Sequence, residues 1–320
     1  MNRTQFNIVG LSLLIGLFLS CGGNKPKTDD PYYEVARYFA ADESFSPILD
    51  EELDIFNMRN TQDSLHPRYI NEVDAMEMLM KEETWLVFTT RKFTEKEKAS
   101  LQARTYRPQE IPLAYDGLAL IVNRANKDTC ISVRDFTRIL SGEAKNWSDI
   151  YPASKLGTID VTFDNPKSST VRYCVDSVLQ GREMVTGGNV GALKTSAEVI
   201  DYVERHENAI GIIGSNWLND KRDTTNVTFK KEITVMKVSK TDPATPHNSY
   251  RPYQYHIAYA NYPLIRTIYA LVNDPRPRGV PRSFASFCWH PDGQLIFFHA
   301  GMLPAHSDFT VREVNVRKER

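Results

Sequence analysis

The chain opens on an apolar run, Ile8 to Leu19, behind Met1-Asn2-Arg3, and turns polar at Ser20-Cys21-Gly22-Gly23. A polar, breaker-rich stretch follows over residues 22 to 31, and beyond it short apolar runs alternate with helical spacing. Trp85 to Phe88 predicts a strand, and Thr94-Glu95-Lys96-Glu97 a helix opened by a capping box. Leu118 to Val122 carries no polar residue and predicts a strand buried on both faces. Ser132 caps a helix with Phe136, Ile139 and Leu140 on one side. There follow a strand at Ile159 to Phe163, a helix from Val171, a helix from Ala197 to Glu207 that Ser196 caps, and strands at Ala209 to Ile213 and Ile233 to Val238. Thr241 to Pro252 holds three prolines and no periodicity, so it reads as a loop or crossing segment. Ordered structure resumes with Tyr262 to Val272 and a helix from Phe284 to Ala300. Such alternation predicts an α/β fold with mostly parallel sheets.

The amino-terminal run is about twelve residues, too short at about 1.5 Å per residue to cross a ~30 Å hydrocarbon layer. One arginine, a short apolar core and small residues behind it describe a secretory signal, which makes residues 1–20 a signal peptide and 21–31 a flexible spacer. Cys21 directly after Leu19-Ser20 resembles a bacterial lipobox, with Phe18 standing where leucine is commoner. That resemblance implies lipid on Cys21, a mature chain tethered to a bacterial membrane, and a periplasmic location. An ordinary thiol after an ordinary cleavage site is the alternative.

A length of 320 residues suggests about two domains, and 41% hydrophobic with 25% charged residues is a globular profile. Lys+Arg of 39 against Asp+Glu of 40 leaves a net charge of -1, without the basic excess a nucleic-acid carrier needs. Mean hydropathy of -0.41 speaks against a multi-span membrane protein. Beyond Cys21 stand Cys130, Cys174 and Cys288, an odd number that cannot all pair within the chain. Buried apolar packing is the preferred reading for all three. There is no Cys-x-x-Cys and no His-x-x-x-His, and seven histidines are scattered, so no metal or cofactor is expected.

The stretch with candidate chemistry is Asn165-Pro166-Lys167-Ser168-Ser169-Thr170. It follows the strand ending at Phe163 and precedes Val171, Cys174, Val175 and Val178, a helical apolar pattern. The first turn of such a helix holds backbone N–H groups without intrahelical partners, and the peptide dipoles add about half a positive charge there. With three hydroxyls and Arg172 nearby, this is a candidate oxyanion cradle. Simple capping by Ser168 or Ser169 is the plainer reading. A second arrangement of the same kind exists: Ser44-Phe45-Ser46-Pro47 precedes Ile48, Leu49, Leu53 and Phe56.

The order of segments resembles the substrate-binding protein of phosphate-type ABC importers, in particular the lipoprotein variety of Bacteroidetes-like bacteria. The matching stretches run in family order. They are Asp42 to Pro47; Ile111 to Gly117 leading into Ile121-Val122-Asn123; Leu140-Ser141-Gly142 with Asn146-Trp147; Phe163-Asp164-Asn165 with Ser168 to Arg172; Ala209-Ile210-Gly211; and Gly293-Gln294 with Ala300 to Pro304. The resemblance implies an α/β, two-lobed type II periplasmic binding protein fold with two crossing segments. Lobe one would comprise 32–115 and 253–320, and lobe two 116–252. A monomer would trap inorganic phosphate, or a similar tetrahedral oxyanion, and deliver it to an ABC permease without acting as an enzyme. Ser44 and Phe45, with Ser46 beside them, match a Thr/Ser-Phe pair; Ser168, Ser169 and Thr170 match a Ser-Gly-Thr triplet.

Two departures bear on specificity. Where phosphate binders of the family carry an arginine four residues before the triplet, this chain has Asp164. Their proton-accepting aspartate falls near Thr89-Thr90-Arg91, where no acid stands, and a glycine–serine loop aligns with Ile70-Asn71-Glu72. An exchange would reconcile these: Arg91 brings the cation from lobe one, Asp164 the acceptor from lobe two, with Glu72 close by. The plainer alternative pairs Arg91 with Asp164 away from any ligand. A sensor or partner-binding protein of the envelope, with a lost or altered anion site, is the competing function. An enzyme is disfavoured by the absence of a Gly-x-Ser-x-Gly elbow and of a histidine near the triplet.

Overall fold

A computed structural model describes residues 30–60, 64–104, 106–185, 187–218 and 230–306. The stretch read as a signal peptide, Cys21 and the expected spacer up to Asp29 lie outside the described residues. Among the described residues, 30–34 belong to one unit and those from Val35 onward to a second, which carries the fold that follows.

Its strands are β1 (Tyr38–Asp42), β2 (His66–Ile70), β3 (Leu86–Thr89), β4 (Gln109–Asn123), β5 (Cys130–Ser132), β6 (Asp160–Phe163), β7 (Val190–Ala192), β8 (Ala209–Gly214), β9 (Ile233–Val235), β10 (Lys237–Ser239), β11 (Ser249–Tyr250), β12 (Ile265–Val272) and β13 (Leu303–Pro304). The helices are α1 (Pro31–Ala36, across the unit boundary), α2 (Ser46–Arg59), α3 (Glu72–Met80), α4 (Glu95–Ala103), α5 (Val133–Leu140), α6 (Ser169–Tyr173), α7 (Ser196–Arg205), α8 (Gln254–Ala258), α9 (Val280–Trp289) and α10 (Pro291–His299).

One sheet runs β2-β1-β3-β12-β4-β8-β6-β7, with β9 and β13 also on β4; a small sheet joins β11-β10-β5. The ends are parallel, β1 with β2 and β3, β6 with β7 and β8. The centre is antiparallel through β12, β4 and β8. The long strand β4 changes partner in its middle: Gln109 to Gly117 pairs with β12, and Leu118 to Val122 with β8. At that point Gly117 lies against Pro252, where an added Cβ would sit 2.6 Å from the proline Cβ, so only glycine lets the two segments pass.

Each half has its own core. Phe39, Phe88, Ile268 and Phe284 fill one face of the first half, and Ala40, Val87 and Leu271 the other. Leu118, Leu120 and Val122 face the core holding Phe136, Trp147 and Phe163, while Ala119 and Ile121 face Val199 and Val203. The strand is thus buried on both faces, as its lack of polar residues predicts.

Several expected elements differ in detail. The helix expected over Phe284 to Ala300 breaks at His290, whose backbone is extended ahead of Pro291. The strand expected over Ile233 to Val238 splits because Met236 N donates to Leu120 and Lys237 N to Thr129, so successive amides serve different sheets. Thr195, not Ser196, caps α7, accepting from Glu198 N at 3.2 Å. Cys174 and Cys288 are buried and Cys130 half-buried, all three as free thiols.

Candidate functional site

Where β1 ends, Asp42 caps a short 3-10 turn over Glu43 to Phe45, its Oδ1 accepting from Ser44 N at 3.0 Å. Helix α2 starts at once, with Pro47 in its first turn supplying a pre-set helical φ. This fixes Ser44, fully buried, at the edge of the first half. In the second half, β6 ends at Phe163 and Ser168 caps α6, its Oγ accepting from Val171 N at 3.3 Å.

The two turns meet. Ser44 Oγ lies 3.4 Å from Ser169 Oγ, and Asp42 Oδ2 accepts from Ser169 N at 2.8 Å. Asp164 Oδ1 accepts from Ser168 Oγ at 2.7 Å and from Thr170 Oγ1. Its Oδ2 is buried and has no hydrogen-bond partner among the described residues. The guanidinium at this junction is that of Arg266 on β12: Nη1 donates to Ser169 Oγ at 2.9 Å and Nη2 to Ser44 Oγ at 3.4 Å. Its Nε donates to Asp116 Oδ2 at 2.9 Å, and its ζ carbon sits 5.0 Å over the Phe45 ring. Asp116 in turn accepts from Ser215 N and Oγ, at 3.1 and 2.6 Å.

Arg266 apart, the first half supplies acceptors around this junction and the second half donors. Glu72 receives Arg172, as well as Thr89 and Thr90 of its own half. Glu43 receives Ser196 N at 3.0 Å, at the positive end of α7. Asp74 receives Lys167 at 3.2 Å, and the Ser44 carbonyl receives Asn216 Nδ2 and Trp217 Nε1 at 2.9 and 3.0 Å. The cleft between the halves is closed by these bonds.

Charge is finely divided here. Burial, then Asp164 and then Glu72, raise the Asp42 carboxyl to about 6; bonds from Ser44 and Ser169 oppose the rise without cancelling it. Burial also raises Asp164, against its hydroxyl donors and Arg266. For Glu72 burial pushes upward, but the bonds and charge of Arg172, with Thr89 and Thr90, hold it below the ordinary range. A cavity of about 260 Å³ opens beside the junction, lined by Asp42, Tyr69, Asn71, Asp164, Ser168 and Thr195 among others. A larger hollow of about 930 Å³ lies elsewhere, between α2, α9 and the start of β4, and touches none of these groups.

Of the residues singled out in the sequence, Ser44, Asp164, Ser168, Ser169 and Thr170 come together, Phe45 underlies Arg266, and Glu72 with Arg172 stands alongside. Ser46 is the first residue of α2 and offers its carbonyl to Tyr69 at 3.4 Å. The Arg91 guanidinium instead grips Glu97, Nη1 to Oε2 at 2.8 Å and Nη2 to Oε1 at 2.7 Å. It pairs with neither Asp164 nor the hydroxyl turns, because α4 brings Glu97 within reach first. Asn216, Trp217 and Arg266 escape the sequence reading, and Asp42 and Asp116 enter it only within matching stretches, without a role at the site. For Arg266 a signal exists: in β12 it shares a face with Ile268 and Ala270, so period-two reading places a cation on a buried face.

Comparison with known proteins places this arrangement. The chain is 23% identical over 272 residues to the phosphate-binding protein PstS of Staphylococcus saprophyticus, covering 84% of this chain and 78% of that one. Its fold is similar to a candidate phosphate ABC transporter substrate-binding protein of Clostridium perfringens solved with bound phosphate, at TM-score 0.69 and 18% identity, over 84% of this chain and 99% of that one. It is likewise similar to an ABC-type phosphate transport receptor of Vibrio cholerae, at TM-score 0.62 and 19% identity, over 83% and 98%. The family model of the PBP superfamily domain matches residues 38–290, and with its two-lobed α/β fold the chain belongs to the PBP superfamily.

Proposed function

We propose that this protein captures inorganic phosphate, or a similar tetrahedral oxyanion, between its lobes outside the cytoplasm and delivers it to an ABC permease. The observation that carries this reading is the convergence of Ser44 Oγ, Ser169 Oγ and the Arg266 guanidinium, brought from three separate segments to one buried point. In this reading the Ser44 and Ser169 hydroxyls donate to the anion's oxygens, those of Ser168 and Thr170 turn from Asp164 Oδ1 to do the same, and Arg266 supplies the cation that the exchange had assigned to Arg91. Asp164 Oδ2 is the acceptor for the anion's own O–H. An acceptor there favours an oxyanion that keeps a proton and opposes fully ionised sulfate, which would leave acceptor facing acceptor. The lobes are taken as 32–115 with 253–320 and 116–252, and the partner change of β4 near Gly117 supports this division. A lipid on Cys21, after cleavage of residues 1–20, would hold the monomer at the membrane beside its permease.

The competing reading, an envelope sensor or partner-binding protein, has one observation on its side: Asp42 occupies the Ser169 amide and Glu72 engages Arg172, so acids of the protein itself hold donors an anion would use. Calorimetric titration with phosphate, arsenate, sulfate and molybdate decides between them. Capture predicts saturable phosphate binding with sulfate far weaker; no heat and no thermal shift with any of the four anions sinks it.

A further inference from the structure

Asp42 is the group around which the closed cleft is built, since its two oxygens join the Ser44 amide of one lobe to the Ser169 amide of the other. It is 1% exposed, as is Asp164, and neither forms an ion pair among the described residues. The groups facing Asp42 can be taken element by element. Its own turn brings Glu43 and Ser44; β2 brings Tyr69; α3 brings Glu72 and Asp74; the 164–168 loop brings Asp164 and Lys167; α6 brings Ser169 and Arg172; β12 brings Arg266; and Lys194 and Ser196 stand at the start of α7. The nearby guanidinium and ammonium groups are engaged elsewhere: Arg172 with Glu72 and Asp176, Arg266 with Asp116, and Lys167 with Asp74. Lys194 lines the cavity rim. Closing the lobes therefore buries two carboxyls side by side without a counter-ion of their own, and an entering oxyanion adds a third negative charge to the same place.

We propose that closure of the lobes is coupled to proton uptake by Asp42, so that the site takes up its oxyanion together with one proton and releases both as pH rises. The wholly buried Asp164 Oδ2, without a partner among the described residues, points to where the anion's own hydroxyl is received. The coupling belongs to the closed cleft itself, and only the identity of the anion rests on the proposed function. Burial and the neighbouring acids hold the Asp42 carboxyl near 6 in the closed form, above its ordinary 3.8, so protons favour closure through that interval.

Two measurements on the full chain test this. Calorimetric titration with phosphate, in buffers of different ionisation enthalpy, counts protons. Between the ordinary 3.8 and about 6 the wild type takes up as much as one more proton per phosphate than Asp42→Asn, and through that interval its Kd weakens with rising pH by up to about tenfold per pH unit relative to that variant. Asp42→Ser serves the same comparison if the asparagine variant folds poorly. Equal proton counts overturn the proposal. The second readout needs no ligand: Trp217 reaches Ser44 across the cleft, so its fluorescence, isolated by difference from Trp217→Phe, follows closure. A transition near pH 6 in phosphate-free wild type, absent in Asp42→Asn, supports the coupling, and a flat wild-type signal overturns it. A protein showing the transition but binding no phosphate at any pH keeps the coupling and sinks the choice of anion.

Discussion

Replacing Arg266 by glutamine separates the structural and ligand roles of the buried cation. Its side chain is 1% exposed and that of its partner Asp116 fully buried, with Nη2 2.9 Å from Oδ2. Removing one member of such a pair leaves an uncompensated charge, at a cost of about 3–5 kcal/mol. For a body of this size, about 2–4 °C of Tm accompanies each kcal/mol, so Arg266→Gln should melt roughly 10 °C lower. The double variant Arg266→Gln with Asp116→Asn removes both charges and should regain most of that loss, since the carboxamide still accepts from Ser215. Phosphate affinity should not return with stability. Each lost charge-assisted bond to the anion contributes about 1.5–3 kcal/mol, a weakening of roughly 10- to 150-fold in Kd. Thermal unfolding and calorimetric titration of wild type, single and double variants complete the cycle. Wild-type phosphate affinity in the double variant would refute the assignment of Arg266 as the cation of the site.

Three further outcomes are expected. Arg91→Ala should leave phosphate Kd within about twofold and cost no more than about 1 kcal/mol, because its pair with Glu97 is partly exposed, whereas Asp164→Ala should alter binding. The depressed Glu72 pKa means that its stabilisation is present above the ordinary carboxylate range and is lost as pH falls through the lower folded value. Tm of Glu72→Gln should therefore lie below wild type at neutral pH and converge with it in acid, a trend opposite in sign to that of Asp42. Gly293→Ala should destabilise by about 1–3 kcal/mol in thermal unfolding while phosphate affinity stays unchanged, because an added Cβ would meet the Phe287 carbonyl at 2.5 Å, far from the cleft.

Local chemistry made much of the scaffold readable. The Thr94–Glu97 capping box, the apolar stretch Leu118 to Val122 and the serine turn before Val171 each encode their element through neighbours within a few residues, where hydrogen bonding and apolar spacing act. The same holds for Ser44 and for Ser168 to Thr170 as hydroxyl-bearing helix starts. Partner choice among charges was not readable in this way. Arg91 has acids available at several distances along the chain, and only the packing of α4 commits it to Glu97. Arg266 lies 97 residues from Ser169 and 222 from Ser44, and meets both only because β12 returns to the sheet between β3 and β4. The raised Asp42 carboxyl likewise depends on burial and on two acids far away in sequence. Elements follow from short-range spacing, but electrostatics at the cleft depends on distance and dielectric, which exist only once the chain has folded.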